Sequence, residues 1–108
     1  MKGYQLYRVC IQACQDCAAI CRHCAISCIA EPQPGRFAEC IQHTLECAAI
    51  CTATAQIMSL NGSKIKELAK LCAAICDECA EHCSMFEEPH CQECAELCRK
   101  CADACAVI

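Results

Sequence analysis

The sequence predicts an all-α protein, an antiparallel up-down-up-down four-helix bundle with a cysteine-lined interior. Three observations support this fold class: few helix-breaking segments, four stretches that resemble one another, and cysteines that recur at helical spacing in every stretch. A chain of 108 residues is enough for one core, so we predict a single domain over residues 1–108.

Three short breaker segments divide the chain into four helices. The breakers are EPQPG at 31–35, NGS at 61–63 and EEP at 87–89. The predicted helices run over residues 5–29, 36–60, 63–86 and 89–107. Ser63 has the residue type of a helix N-cap, and Pro89 suits a first helical turn.

The four helices are variations on one unit. CAAIC occurs at 17–21, 47–51 and 72–76, and CAELC occurs at 94–98. Because the connections are short, we expect consecutive helices to lie side by side and antiparallel.

Cysteine defines the face that each helix buries. In the first helix six cysteines follow one another at steps of four and three, so at about 100° per residue they stay within roughly 40° of one line. A single stripe of this kind is the face that a bundle buries. The eighteen cysteines are Cys10, Cys14, Cys17, Cys21, Cys24, Cys28, Cys40, Cys47, Cys51, Cys72, Cys76, Cys79, Cys83, Cys91, Cys94, Cys98, Cys101 and Cys105.

Composition narrows the class of function. The net charge of -4 is scattered along the chain without a basic patch, which argues against a nucleic-acid partner. The segment MKGYQLYRVC lacks the apolar centre of a secretory signal, and no apolar stretch approaches the roughly 18 residues that span a membrane. We therefore expect a cytoplasmic protein without a membrane partner, in which thiols stay reduced.

Two purely structural explanations of the cysteines fit poorly. One or two cysteines pack well in a core as small hydrophobic side chains. When cysteine replaces Leu and Ile along a whole seam, that is, along the full stripe of a helix, the core loses apolar area worth about 25 cal/mol per Å². Cysteines four apart on a helix have nearly parallel Cα–Cβ vectors, which is a poor geometry for a disulfide. Clustered reduced thiols instead indicate a metal site.

Charge balance favours Cu(I) among the thiol-seeking ions. Four thiolates around zinc leave two net negative charges with no interior base to neutralise them, whereas one Cu(I) per thiolate leaves a neutral interior. Cu(I) accepts two or three sulfurs, and every C-x-x-x-C places two sulfurs one helical turn apart. Eight such pairs are present: Cys10/Cys14, Cys17/Cys21, Cys24/Cys28, Cys47/Cys51, Cys72/Cys76, Cys79/Cys83, Cys94/Cys98 and Cys101/Cys105.

All eighteen cysteines are therefore predicted ligands of multiple Cu(I) ions, and the function predicted from them is copper storage or buffering. The second helix carries Thr44, Thr54 and Met58 at seam positions, so we expect less metal along that wall.

Three other functions fit part of the pattern. An iron–sulfur electron carrier also uses closely spaced cysteines, but its motifs wrap loops around a cluster and carry a proline that this chain lacks. A zinc-thiolate protein stays open as a second alternative. A thiol redox enzyme needs one exposed cysteine of low pKa, such as Cys91 beside His90, and leaves the other thiols unexplained. No nucleophile–base–orienter set is present, so we expect no catalysis.

Antiparallel packing gives the bundle two different ends. His43, His82 and His90 fall at one end and flank the cysteine stripe, whereas His23 points outward. We predict that copper enters at this end and that His82 and His90 act there as weaker, exchangeable metal ligands. The alternative is that these histidines are solvated helix-end residues.

Other residues at the two ends complete this prediction. At the histidine end the further candidate ligands are Glu87, Glu88 and Met85, and two aromatic residues that narrow the opening are Phe37 and Phe86. At the opposite end we expect a hydrophobic plug made of Leu6, Tyr7, Met58, Ile65, Leu68 and Ile108. Ile26 and Leu45 lie far from the stripe and are expected to face solvent, which suggests a homo-oligomer.

The sequence resembles the bacterial copper storage proteins of the cytosolic type over its whole length. The resemblance rests on the in-phase cysteines from Cys10 to Cys105, the repeated CAAIC units and the histidines at one end. It implies a four-helix bundle that fills with Cu(I) through thiolate coordination, copper entering at one end, and assembly as a homotetramer. It also carries all eighteen cysteines over as ligands. Where Thr44 and Thr54 occupy the seam, other helices must supply the coordination.

Overall fold

The protein is a bundle of four long antiparallel helices, as predicted. The computed structural model describes residues 2–108, and the side chains of residues 3–108. Its elements are α1 Lys2–Leu6, α2 Arg8–Ile29, a 3₁₀ turn Pro34–Phe37, α3 Ala38–Ser59, α4 Ile65–Ser84 and α5 Pro89–Ala106. Each long helix packs against the one before and the one after it, and α5 closes the bundle against α2. The result is a rod of 47 × 18 × 18 Å.

Of the two predicted helix starts, one needs correction. Ser63 is not an N-cap: α4 begins at Ile65, and Lys64 precedes it without a side-chain cap. The reason is the turn before α4, where Asn61 adopts a left-handed φ of 54° and the Gly62 N–H bonds back to the Ile57 carbonyl, so Ser63 still belongs to the turn. Pro89 does lie in the first turn of α5, as predicted.

The interior is built from small side chains. All eighteen cysteines are buried, and rows of alanine on the same faces are buried beside them. Small residues at the contacts let the four helices approach closely, so the interior becomes a narrow column of sulfur and methyl groups. None of the helices in the described part of the chain is long and apolar enough to cross a lipid bilayer.

The end opposite the histidines is closed by apolar side chains. Met58 and Ile65 are buried, and Tyr7 and Ile108 pack against the core, as predicted. Leu6 is not part of this plug, because its side chain is 70% exposed. The chain breaks at Tyr7 between α1 and α2, which turns Leu6 outward. Leu68, which was also predicted for the plug, is half-buried.

The short helix α1 docks closely on the end of α3. A Cβ atom on Gly3 would lie 2.7 Å from both Asn61 and the Met58 carbonyl oxygen, so only glycine permits this approach. On the outside of the bundle, Ile26 and Leu45 are exposed, as the sequence predicted.

Candidate metal centre

The cysteine sulfurs form one continuous column along the axis of the bundle. Every cysteine is a free thiol, and none is more than 3% exposed. The column forms because the three- and four-residue steps keep each stripe on the inner face of its helix, and the antiparallel packing brings four stripes together. The sulfurs therefore share one lumen instead of lying on separate surfaces.

Contacts between helices join the stripes into a network. Cys47 of α3 lies at the centre of it: its Sγ is 3.7 Å from that of Cys17, 3.6 Å from that of Cys76 and 4.0 Å from that of Cys98. One sulfur of α3 thus contacts sulfurs of all three other long helices. A metal ion bound at Cys47 would link α3 to cysteines that lie 29 to 51 residues away along the chain.

The C-x-x-x-C pairs behave in two ways. Six of the eight have their two sulfurs 3.9 to 4.0 Å apart: Cys17/Cys21, Cys24/Cys28, Cys47/Cys51, Cys72/Cys76, Cys79/Cys83 and Cys94/Cys98. The other two pairs make their sulfur contacts with cysteines of other helices instead. Cys10 lies 3.2 Å from Cys105, and Cys14 lies 3.7 Å from Cys101.

The sulfur spacing suits soft cations with several sulfur ligands. A metal–thiolate bond of about 2.3 Å, the length found at zinc, places the sulfurs of a three-coordinate site about 4.0 Å apart. Several groups of four sulfurs have all members within 4.8 Å of one another. They include Cys14/Cys51/Cys72/Cys101, Cys17/Cys51/Cys76/Cys101, Cys17/Cys21/Cys47/Cys98, Cys21/Cys79/Cys94/Cys98 and Cys24/Cys28/Cys40/Cys91.

The part of the chain that the structure describes brings no positive charge into the lumen to balance thiolates. Among the described side chains, the buried polar or charged residues are Thr44 and Thr54. Burial raises the pKa of Cys28, and burial together with the nearby sulfur of Cys28 raises the pKa of Cys91. These two thiols therefore hold their protons more tightly than a free cysteine does, and a metal ion that binds them must release those protons.

The histidine end has an inner and an outer polar group. His90 belongs to the inner one: its Nε2 lies 3.5 Å from the Cys28 sulfur and 4.0 Å from a Glu31 carboxylate oxygen. In the outer group, the rings of His43 and His82 stack with centroids 4.0 Å apart, and His82 Nδ1 lies 3.7 Å from Glu39. His23 is exposed on the outer face of α2, as predicted.

Aromatic side chains cover the inner histidine. Phe37 is buried, its ring centroid lies 4.8 Å from that of Phe86, and it lies 6.5 Å from the ring of His90. The Arg36 guanidinium stacks over Phe37 at 4.5 Å and donates a 2.7 Å hydrogen bond to Glu88. Both phenylalanines therefore lie at the histidine end and pack against each other there.

The carboxylates and the methionine at this end differ in how free they are to bind a metal ion. Glu88 is held by Arg36, and its own backbone N–H together with that guanidinium lowers the pKa of its carboxyl group. Glu87 and Met85 are exposed and lie at the rim.

Sequence reasoning missed Glu31, Glu39 and Arg36. The only available signal was their position, because all three lie in or beside the breaker segment that crosses the histidine end.

The comparisons with known proteins agree with this geometry. Residues 4–108 match the family Csp, described as copper storage protein. The chain belongs to the copper storage protein family. A sequence relative is the cysteine-rich protein YhjQ of Bacillus subtilis (strain 168), which is 38% identical over 101 residues covering 94% of each chain.

Two solved copper storage proteins share the fold in detail. The Cu(I)-bound protein BsCsp3 of Bacillus is 37% identical, with a TM-score of 0.90 over 93% of this chain and 94% of the other. A cytosolic copper storage protein from Streptomyces lividans, solved with five coppers, is 33% identical, with a TM-score of 0.90 over 97% and 92%. The family resemblance inferred from the sequence is therefore confirmed.

Proposed function

We propose that this protein stores or buffers Cu(I) in the cytoplasm, holding many ions on cysteine thiolates inside the bundle. The observation that carries the proposal is the column of eighteen buried, reduced sulfurs, beside which the side chains of residues 3–108 place no buried cation. Soft thiolates select Cu(I), and a monovalent ion for each thiolate leaves the column neutral. The Cu(I)-bound Bacillus relative and the cytosolic, copper-loaded Streptomyces relative support the same function.

The proposed ligands are the eighteen cysteines, with His82 and His90 as auxiliary ligands at one end. Proteins of this family are storage proteins, and we propose storage without catalysis for this chain. We also propose that residues 1–108 form one binding domain, since all four cysteine stripes contribute to the same column.

Anaerobic titration of the reduced protein with Cu(I) tests the function. In the presence of a chromophoric chelator, the protein should withhold copper from the chelator up to roughly one ion per thiol. Protons should be released in parallel, because a thiol gives up its proton when it binds a metal ion. Saturation after only a few equivalents would contradict a store. A parallel titration with Zn(II) that displaces bound Cu(I) would favour the zinc-thiolate alternative.

We propose further that copper enters at the histidine end. His90 is 13% exposed and lies in contact with Cys28, so it can pass an ion from solvent to the first thiols of the column. His82, 30% exposed, offers a second imidazole at the rim. The opposite end is closed by Met58 and Ile65, which offer no exchangeable ligand at the surface.

Loading kinetics test the role of the histidines. Replacing His82 and His90 together with Ala should slow Cu(I) uptake several-fold in stopped-flow absorbance, while the final capacity stays the same because no thiol is lost. His23→Ala is the matched control, since His23 is exposed on the outer face of α2 and should load at the normal rate. Equal rates in all three proteins would rule out the histidine end as the way in.

We propose a homo-oligomer, as the family resemblance suggests a homotetramer. The support is the set of exposed apolar side chains on the outer faces, including Ile26 at 68% exposure and Leu45 at 52%. Sedimentation of the reduced protein tests this, and a monomer at micromolar concentration would contradict it.

A further inference from the structure

Thr54 differs from the other hydroxyl residues of α3 in its hydrogen bonding. The hydroxyls of Thr44, Thr52 and Ser59 each donate to a backbone carbonyl of their own helix, at 2.8 to 2.9 Å. This is the usual way for a helix to satisfy a hydroxyl. Thr54 is fully buried, yet its Oγ1 has no hydrogen-bond partner.

The position of Thr54 places it at the end of the sulfur column farthest from the histidines. Thr54 follows Cys51 by one turn on the seam of α3, and Cys51 contacts Cys101 of the parallel helix α5 at 3.8 Å. Because α3 and α5 run in the same direction, one further turn along each helix brings Thr54 and Cys105 to about the same level. Cys105 contacts Cys10 at 3.2 Å and Cys14 at 3.8 Å. At this level α2 and α5 supply thiols, and α3 supplies a hydroxyl.

A buried donor without a partner destabilises the metal-free protein. The cost of such a group is comparable to that of a lost hydrogen bond. The same hydroxyl becomes useful when thiolates form beside it, because a hydrogen bond to a charged acceptor is stronger than one to a neutral group.

We propose that the Thr54 hydroxyl donates its one hydrogen bond to a thiolate of the group Cys10, Cys14 and Cys105 when this end of the column holds Cu(I). Thr54 is then a positioning residue that stabilises bound copper without coordinating it. The proposal rests on the copper-storage function above. It also explains why a hydroxyl takes a seam position without the backbone bond that Thr44 makes.

The test compares Thr54→Val with Thr44→Val, which makes the same change at the other buried threonine of the seam. Two measurements are made on each full-length protein: the denaturant midpoint without metal, and Cu(I) retention against a chelator. In T54V the metal-free midpoint should rise, because an unsatisfied polar group is replaced by a methyl group. Loaded T54V should release about one or two copper ions at a chelator concentration about tenfold lower than the wild type requires. A tenfold weaker affinity is the effect expected when one hydrogen bond to a charged acceptor is lost.

The controls separate this role from simple packing. T44V should retain copper within about twofold of the wild type, because the Thr44 hydroxyl is already bonded to a carbonyl. Thr54→Ser keeps the hydroxyl and should retain copper as the wild type does. Normal retention by T54V, or a metal-free midpoint that falls together with retention, would overturn the proposal. Loss of all copper from the wild type would instead overturn the storage function itself.

Discussion

Loading with Cu(I) should raise the thermal unfolding midpoint of this protein by tens of degrees. The metal-free core consists mainly of cysteine and alanine, so it buries less apolar surface than a core of Leu and Ile. Consider an ion that binds only the folded state and is present at a free concentration a thousand times its dissociation constant. Each such ion adds about 4 kcal/mol to the free energy of unfolding. Two such ions would raise the midpoint by about 30 °C in a domain of this size.

Circular dichroism during heating measures this effect. Reduced protein is heated under anaerobic conditions with and without Cu(I), and the metal-free sample contains a chelator to remove traces of copper. A midpoint that moves by only a few degrees on loading would mean that the ions bind outside the column or bind the unfolded chain equally well.

Cys47→Ala should cost more copper capacity than the loss of one ligand suggests. The Cys47 sulfur contacts sulfurs of Cys17, Cys76 and Cys98, one on each of the other long helices. Because each Cu(I) takes two or three sulfurs, a sulfur with this many neighbours serves more than one ion. We therefore expect the capacity to fall by roughly two to three ions, measured by anaerobic titration.

Cys10→Ala is the matched control for this change. Both variants remove one buried thiol, but Cys10 lies at the end of the column, where its nearest sulfur contact is Cys105. Its loss should cost about one ion. The helix content of both variants is compared by circular dichroism, and Cys47→Ser repeats the test with nearly the original volume. Equal losses at Cys47 and Cys10 would show that the sulfurs bind independently of their position in the network.

Local chemistry in the sequence determined most of the fold. Steps of three and four residues bring all the cysteines of a segment onto one face only if the segment is a helix, and that face is then buried. The breaker segments are short, so consecutive helices must be antiparallel neighbours. The burial of all eighteen cysteines and the placement of three histidines at one end follow from these two facts. The family resemblance rests on the same spacing, and the match over residues 4–108 confirms it.

Contacts between helices were decided only by the tertiary structure. Periodicity places a residue on a face, but the axial offset of neighbouring helices decides which sulfurs meet, so the pairing of Cys10 with Cys105 was not predicted. The break at Tyr7, which exposes Leu6, depends on how α1 docks against α3. The side-chain rotamer of Thr54 likewise depends on its neighbours. Helical spacing is a property of each segment alone, whereas offsets and rotamers are set by the packing of all four helices together.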